Sequence, residues 1–286
     1  MKKIVVLGAL GMAGHVMVHT LRKYSDLEVF GVARQEGFFV DKVLDVSDFS
    51  ALKSYILELK PDYIVNCVGV LVAQAQKNIT MAVLLNSYLP HFLAELGDKE
   101  GLKLIHISTD CVFSGKTGAY LEDSFRDGND NYARSKALGE VINDKHLTIR
   151  TSIVGPELKT NGTSLFDFFL KQQGVIQGYT KAIWSGVSTL TLAQAVVQSI
   201  RDDVTGLYHL TNGESISKYE LLLLFKKYTG HKVDVQAVEG KHVNKSLVDM
   251  RRVLSDLVPT YDKMVENMVE FMRENKEFYS HIYFKH

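Results

Sequence analysis

Cysteine is scarce in this sequence, with Cys67 and Cys111 alone among 286 residues. Two cysteines cannot build the dense disulfide framework that stabilises many small secreted proteins, so the sequence predicts a reducing compartment, the cytoplasm. Both residues follow apolar segments, where a thiol most often serves as a small buried side chain. A structural role is therefore favoured over a reactive one.

Net charge and long apolar runs are also missing. Acidic and basic residues number 33 each, and no segment reaches the roughly eighteen consecutive apolar residues that a membrane helix needs. Nucleic acids and anionic membranes hold proteins through many Lys and Arg contacts with phosphates, so neither is predicted as a partner. No metal site is predicted from the ten histidines.

What the chain does have is a regular alternation of short apolar segments and helical patterns. Strands are predicted near residues 3–7, 27–33, 62–67, 103–108 and 147–152, and helices near 48–59, 80–96 and 132–142. This alternation predicts an α/β fold with a doubly wound parallel sheet, whose ligand lies across the carboxyl ends of the strands.

The alternation loosens after Gly155, although a strand near 206–210 and a helix near 218–227 still stand out. We predict a dinucleotide-binding domain of Rossmann type over residues 1–155. A smaller substrate-binding lobe is predicted over residues 156–286, with some segments returning to the main sheet.

The first predicted strand runs directly into three glycines, Gly8, Gly11 and Gly14. Glycines in such a turn let the chain reverse sharply and let backbone N–H groups approach a pyrophosphate at the N-terminus of the next helix. Packing needs alone also produce such triplets. A secretory signal is a further alternative, since Lys2 and Lys3 precede the apolar run, but the continuing alternation argues against it.

A second group of residues suggests catalysis. Thr109 follows the strand near 103–108, where this fold places its ligands, and Tyr132 lies four residues before Lys136 on a predicted helix. Residues four apart share one helical face, which suits a proton donor and its electrostatic partner. The similar pair Tyr228 and Lys232 is interrupted by a predicted helix stop at Gly230.

The lysine charge is large enough to activate the phenol. Lowering a tyrosine pKa from about 10 towards neutrality requires roughly 4 kcal/mol. One positive charge at about 4 Å supplies about that much at an effective dielectric constant near 20. We therefore expect Lys136 to lower the pKa of Tyr132. Thr109 alone is an ordinary strand-end hydroxyl, but beside this pair it becomes a candidate hydrogen-bond donor to a carbonyl oxygen.

The glycine turn, the Ser108–Phe113 run and the Tyr132-x-x-x-Lys136 pair together resemble the extended short-chain dehydrogenase/reductase superfamily, and within it the dTDP-4-dehydrorhamnose reductases. The segments 59–66, 118–123 and 149–152 resemble further motifs of these enzymes, in the same order. The resemblance covers most of the chain.

The resemblance implies NADPH-dependent reduction of the C4 ketone of a nucleotide-linked deoxy sugar, for the synthesis of cell-surface polysaccharide precursors. Tyr132 would donate the proton, Lys136 would bind the cofactor ribose and tune the phenol, and Thr109 would hold the reacting oxygen. The residues implied to line the cofactor are Gly8, Leu10, Gly11, Met12, Arg34, Asp45, Val46, Cys67, Val68 and Gly69, with Tyr132 and Lys136. Val112 and Trp184 are expected on the substrate side.

Arg34 bears on the choice of cofactor. An acidic side chain at the end of the second strand would favour NAD, whereas an arginine there accommodates the 2′-phosphate of NADP. The strand ends in Gly31-Val32-Ala33-Arg34 without a carboxylate, so NADP(H) is predicted, with tolerance for NAD(H). The alternative is a solvated surface arginine.

Two departures from the family pattern leave the sugar and its nucleotide, dTDP or UDP, open. Ile153 replaces the usual tryptophan, and Ala133 replaces the glycine after the tyrosine. Trp184 either stacks on the substrate or belongs to the core. The aromatic segment Phe278–Phe284 either seals the small lobe or meets another subunit, and a homodimer is compatible with the sequence.

Two other functions stay open at this point. A nucleotide-sugar epimerase or dehydratase uses the same tyrosine and lysine, although dehydratases of the superfamily place an acidic pair after the threonine, where this chain has Asp110 and Cys111. A non-catalytic NADP-binding subunit, resembling the regulatory subunit of methionine adenosyltransferase, is the second.

Overall fold

The structure is a computed structural model that describes residues 1–280 and 282–283. The strands are β1 (Lys2–Leu7), β2 (Leu27–Ala33), β3 (Lys42–Val43), β4 (Tyr63–Asn66), β5 (Lys103–Ile107), β6 (Leu147–Arg150), β7 (Ile153–Val154), β8 (Gly174–Tyr179), β9 (Ala182–Trp184), β10 (Val187–Ser188), β11 (Gly206–His209), β12 (Ile216–Ser217), β13 (Val233–Val238) and β14 (Val243–Asn244).

The α-helices are α1 (Met12–Leu21), α2 (Phe49–Leu59), α3 (Val72–Lys77), α4 (Ile79–Ala82), α5 (Leu89–Glu100), α6 (Asn131–Leu138), α7 (Leu165–Lys171), α8 (Thr189–Arg201), α9 (Lys218–Thr229), α10 (Tyr261–Glu274) and α11 (Lys276–Tyr279). A π-helical segment, Val83–Tyr88, joins α4 to α5, and short 3-10 turns cover Asp110–Val112 and Ser255–Leu257.

A seven-stranded parallel sheet forms the centre of the molecule, in the order β11-β6-β5-β4-β1-β2-β3. The chain leaves β1 in one direction through β2 and β3 and then returns to continue on the other side through β4. This reversal opens a crevice at the carboxyl ends of β1 and β4, the usual ligand site of a doubly wound fold. The predicted fold class is confirmed.

The strands are apolar along their whole length because helices cover both faces of the sheet. In β1, Ile4 and Val6 belong to the cluster under α1 and α8, while Val5 and Leu7 belong to the opposite cluster under α2 and α5. All four side chains are fully buried. Alternate residues of one strand therefore join the sheet to both layers.

Helix α6 is shorter than predicted, because it ends at Leu138 and not near Ile142. Gly139 follows the helix and approaches the carbonyl oxygen of Asn86 so closely that a Cβ at this position would clash with it. The chain then turns inward and buries Glu140. The sequence shows the glycine but not the neighbour that requires it.

The C-terminal aromatic residues pack against their own chain. Phe278 contacts the rings of Phe39 and His19, and the Tyr279 hydroxyl lies 2.9 Å from Nε2 of His15. The Tyr283 hydroxyl donates to Asp167 over 2.9 Å. These contacts seal the layer over α1 and α7, whereas Phe284 lies outside the described residues.

Candidate active site

The glycine turn lies at the crevice, where β1 passes into α1. Gly8 has a φ of +85°, a left-handed conformation that favours glycine, and Gly11 donates its N–H to the Gly8 carbonyl over 2.8 Å. A Cβ at Gly14 would clash with that same carbonyl. Helix α1 then begins at Met12 without a side-chain cap. The N-terminus of this helix is suited to binding an anion.

A buried histidine supports the turn from behind. Nδ1 of His15 lies 2.8 Å from the Gly11 carbonyl oxygen, and its Nε2 lies 2.9 Å from the Tyr279 hydroxyl. Burial lowers the pKa of His15 to about 4, so the ring is neutral at physiological pH. The carbonyl oxygen accepts the Nδ1 proton, and the tyrosine therefore donates to Nε2.

Thr109 and Tyr132 meet at the carboxyl end of β5. Thr109 begins the 3-10 turn, where its Oγ1 accepts the Cys111 N–H over 3.1 Å and donates to Asp110 over 3.2 Å. The Tyr132 phenol, on α6, lies near the Thr109 side chain. Two residues that are 23 positions apart in the sequence thus form one hydroxyl pair.

Lys136 follows Tyr132 by one turn of α6 and is 3% exposed. Its Nζ donates to the Ile107 carbonyl over 2.7 Å and lies 3.3 Å from Nε2 of His106. Burial lowers the pKa of Lys136 to about 8.

The expectation that Lys136 lowers the pKa of Tyr132 is wrong for this structure. Burial, together with the neighbouring Cys111 and Asp110, raises the pKa of the phenol above its ordinary value. An effective dielectric constant near 20 suits a partly solvated pair of groups. In this structure both the phenol and the lysine are desolvated. The phenol is fully protonated at neutral pH.

A buried ion pair fixes the backbone next to Thr109. The Glu140 carboxylate accepts hydrogen bonds from Nε and Nη2 of Arg150 over 2.8 and 2.7 Å and from the Ser108 hydroxyl over 2.7 Å. Burial opposes ionisation, but the hydrogen bonds from Arg150 and Ser108 prevail and lower the pKa of Glu140. The carboxylate therefore holds β5 and β6 together under the site.

The π-helical segment supplies a further positioning residue, Asn86. Its amide donates to the Val70 carbonyl and to the Ser135 hydroxyl, each over 3.0 Å, and its oxygen accepts the Val70 N–H over 2.7 Å. π-Helical turns are rare and often occur at functional sites. Asn86 ties the loop after β4 to helix α6, on which Tyr132 and Lys136 lie.

Comparison with known families places the chain. The model of the family described as RmlD substrate binding domain matches residues 1–252. The chain belongs to this family.

Three similar proteins and one solved structure illustrate the family's range. The spore coat polysaccharide biosynthesis protein SpsK of Bacillus subtilis is 28% identical, with 83% of each chain covered. A probable dTDP-4,6-dihydroxy-2-methyloxan-3-one 4-ketoreductase of Streptomyces antibioticus is 32% identical, covering 76% of this chain and 73% of the relative. Methionine adenosyltransferase 2 subunit beta of Xenopus laevis is 26% identical, covering 77% and 70%.

The solved structure is that of a Bacillus anthracis dTDP-4-dehydrorhamnose reductase in complex with NADP. It superposes with a TM-score of 0.79, at 23% identity, over 95% of this chain and 99% of that one. This agreement supports the doubly wound fold of the family.

The residues expected to line a cofactor lie around the crevice. Leu10 and Met12 are half-buried in the glycine turn, and Cys67, Val68 and Gly69 follow β4. The Val68 N–H donates to the Asn66 side chain over 3.1 Å, which shapes this loop.

Arg34 and Asp45 lie near each other beyond β2 and β3. Both are exposed, whereas Val46 is buried in the core. Hydrogen bonds from Ser47 lower the pKa of Asp45, and the nearby Arg34 charge adds to the effect. The Arg34 guanidinium is therefore accessible at the edge of the predicted cofactor site.

Two expected substrate contacts are corrected. The Val112 side chain is 0% exposed in a small cluster with Phe113, Tyr120 and Leu247, so it does not reach the crevice. Trp184 is 5% exposed and packs against Tyr261, with ring centroids 5.6 Å apart. The indole belongs to the hydrophobic core, the second of the two possibilities that the sequence left open.

Lys245 is a site residue that the sequence did not reveal. Its ammonium group lies near the side chains of Cys111 and Asp110. Burial opposes the charge, but these two neighbours prevail and raise the pKa of Lys245. The Asn244 N–H donates to Gly115 over 2.7 Å, which holds this segment beside the site. A contact between positions 111 and 245 leaves no local sequence signal.

The two thiols are poorly suited to ionise. Burial raises the pKa of Cys67 to about 12 and that of Cys111 to about 11. Within residues 1–280 and 282–283, no group of three or more His, Cys, Asp and Glu side chains is arranged to hold a metal ion. In the same part of the chain, no helix has the length and apolar character needed to span a membrane.

Proposed function

We propose that this protein is an NADPH-dependent reductase that converts the C4 ketone of a nucleotide-linked deoxy sugar into an alcohol. The supporting observation is the meeting of Thr109 and Tyr132 at the carboxyl end of β5, with Lys136 one turn further along α6. The relatives named as a ketoreductase and as a polysaccharide biosynthesis protein support the reaction and its place in cell-surface polysaccharide synthesis.

The residues present fit a dinucleotide. The side-chain-free turn at Gly8, Gly11 and Gly14 admits a pyrophosphate, and the uncapped N-terminus of α1 offers backbone N–H groups to its charge. Lys136 has a further N–H for a ribose hydroxyl besides the one donated to Ile107. When bound, the reduced nicotinamide supplies the hydride that reaches the C4 carbon.

Tyr132 supplies the proton that completes the reduction. Because its pKa is raised, the phenol is protonated at neutral pH, and the alkoxide formed at C4 is a stronger base than a phenolate. The phenol proton passes to the C4 oxygen while the Thr109 hydroxyl hydrogen-bonds with the same atom. The phenolate regains its proton from water. One hydride and one proton thus turn the ketone into a secondary alcohol.

Lys245 marks the substrate side of the site. Its ammonium group lies beside Cys111, next to the hydroxyl pair, on a segment that the small lobe contributes. An ammonium donor in this position is suited to a sugar hydroxyl or to the nucleotide diphosphate. The nucleotide-linked sugar is therefore assigned to the space between β5 and the segment that carries Lys245.

The experiment that tests this function is a panel of dTDP- and UDP-linked 4-keto sugars, each incubated with the purified protein and NADPH. The expected result is loss of one equivalent of NADPH absorbance per ketone, with an alcohol as the product. Interconversion of sugar epimers without net NADPH loss would instead identify an epimerase. Tight NADPH binding without turnover of any sugar would favour a binding subunit.

A further inference from the structure

His106 occupies an unusual place for a histidine, in the middle of the central sheet. It lies in β5 between Leu104 and Ser108 and is 0% exposed. Its Nδ1 is 3.2 Å from the side-chain nitrogen of Asn66 on β4, and its Nε2 is 3.3 Å from Nζ of Lys136 on α6. The ring therefore connects a buried amide to the lysine of the site.

The orientation of the Asn66 amide is fixed by the backbone. Oδ1 of Asn66 accepts the N–H of Val68 over 3.1 Å, so the amide nitrogen must face His106. An amide nitrogen is a donor only, and Nδ1 of His106 must therefore accept and carry no proton. Rotating the amide would place two donors against each other at Val68.

The remaining proton of the neutral ring then lies on Nε2, the atom that faces Lys136. An Nε2–H group needs an acceptor, and a lysine nitrogen has a lone pair only as an uncharged amine. An ammonium group at the same distance would set two donors against each other. The amine, by contrast, accepts from His106, donates to Ile107 over 2.7 Å and keeps one N–H for the crevice.

We propose that His106 is a positioning residue that favours the uncharged amine form of Lys136 before the cofactor binds. When the cofactor binds, Lys136 turns towards the ribose and its amine takes up a proton from solvent to become the ammonium. Only the protonation of Lys136 on cofactor binding rests on the proposed function. The state before binding is defined by hydrogen bonds between protein groups.

The other charged and titratable groups around Lys136 are compatible with this arrangement. Glu140, one turn along α6, favours the ammonium form, but its carboxylate is already paired with Arg150. Cys67, after β4, has a pKa raised to about 12, and the phenol of Tyr132 is also neutral at physiological pH. His91 is the further histidine near His106. Burial lowers the pKa of His106, which keeps its ring neutral.

The first test is the tautomer of His106 in the protein without cofactor, read from long-range ¹H–¹⁵N NMR. The chain contains a reference for each tautomer. His15 must carry its proton on Nδ1, because Nδ1 faces the Gly11 carbonyl. His146 must carry it on Nε2, because its Nδ1 accepts the Leu104 N–H over 3.0 Å and its Nε2 faces the Ala94 carbonyl. We expect His106 to show the Nε2–H tautomer, like His146. An Nδ1–H tautomer, like that of His15, overturns the proposal.

The second test measures proton uptake when NADPH binds, by calorimetry in buffers with different heats of ionisation. Because the pKa of Lys136 is about 8, uptake of roughly three quarters of a proton per NADPH is expected at about pH 8.5, with a smaller value at pH 7. Binding without uptake at pH 8.5 overturns the proposal and leaves the proposed function intact. Absence of NADPH binding contradicts the proposed function. In that case the NMR measurement of the His106 tautomer alone decides whether this inference holds.

Matched variants separate this role from a general effect on folding. His106→Gln places an amide oxygen near Lys136, and this oxygen accepts a hydrogen bond from the ammonium. The pH above which NADPH affinity declines, here called the alkaline limit, should therefore move up by about one pH unit. His146, directly before β6, is a buried histidine without a hydrogen bond to Lys136. His146→Gln should therefore leave this limit unchanged. The same alkaline limit in both variants contradicts the proposal. If His106→Gln does not fold, the tautomer of His106 in the wild-type protein decides.

Discussion

The Glu140 carboxylate holds the Arg150 guanidinium through both of its oxygens, with 0% and 1% of the two side chains exposed. The oxygen that accepts from Nε also accepts the hydroxyl proton of Ser108, the residue before Thr109. Glu140 follows the helix that bears Tyr132. This pair therefore links the strand end of one catalytic candidate to the helix of the other.

Removing the charge of Glu140 should be strongly destabilising. Glu140→Gln leaves Arg150 charged and buried without a counter-ion, and breaking such a pair typically costs about 3–5 kcal/mol. Urea unfolding measures the loss. Asp203→Asn is the control, because Asp203 pairs with Lys103 while its own side chain is 74% exposed, and about 1 kcal/mol or less is expected. Equal losses would contradict the importance of the buried pair.

Tyr132→Phe should remove turnover and spare cofactor affinity. The substitution deletes the proton donor, and general acid catalysis is worth about 100-fold or more. Steady-state kinetics with a 4-keto nucleotide sugar and fluorescence titration with NADPH measure the two effects. Tyr228→Phe is the matched control, since Tyr228 opens the second Tyr-x-x-x-Lys pair but lies on the surface beside Asp262. Near-normal turnover in Tyr132→Phe would reject Tyr132 as the acid.

Arg34→Ala should reduce the preference for NADPH over NADH. The exposed guanidinium beyond β2 is suited to the 2′-phosphate, and loss of one charge-assisted contact typically costs about 1.5–3 kcal/mol, which corresponds to roughly tenfold or more in affinity. The ratio of kcat/KM values for the two cofactors measures the effect. Arg201→Ala, at an exposed arginine of α8, should leave the ratio unchanged. The same ratio in both variants would show that Arg34 is a solvated surface residue.

Acid should destabilise the protein in two distinguishable ranges. Burial lowers the pKa values of His15 and His209 from 6.5 to about 4, so between these values the unfolded chain binds protons that the folded protein does not. Stability should therefore be full above pH 6.5 and fall as the pH drops to 4, by up to about 3 kcal/mol for each histidine. The lowered pKa of Glu140 adds a further loss at more acidic pH, where the carboxylate becomes protonated.

Urea unfolding at pH 7, 5.5 and 4.5 measures this dependence. In His209→Gln one of these titrating groups is gone, and the decrease between pH 7 and 4.5 should be correspondingly smaller. A wild-type stability that stays constant from pH 7 to 4.5 would contradict the buried neutral state of these histidines.

The sheet was predictable because its strands are buried on both faces and leave continuous apolar segments in the sequence. The predicted strand 27–33 agrees residue for residue with β2. Helix α6 was predictable as well, because Tyr132 and Lys136 lie close together in the chain and share one element. Local patterns of this kind do not depend on the rest of the fold.

The surroundings of the site were not predictable, since they arise from contacts between distant segments. The Asn66 and His106 side chains meet across two strands, and Lys245 approaches Cys111 from a segment 134 residues further along the chain. The predicted direction of the Tyr132 pKa shift was wrong for the same reason. The charge of Lys136 is evident from the sequence, but the desolvation of both groups is not. Trp184 was ambiguous until its packing on Tyr261 was known.

The hydrogen bond between His15 and Tyr279 joins residues 264 positions apart and thereby ties the first helix to the last. During synthesis on the ribosome, the glycine turn is made within the first few seconds, but its support from behind is completed only when the last helix has emerged. A fragment that contains the whole parallel sheet yet stops before Tyr279 would leave His15 without its partner. Loss of Tyr279 is therefore expected to weaken the turn near the N-terminus, far away in the sequence.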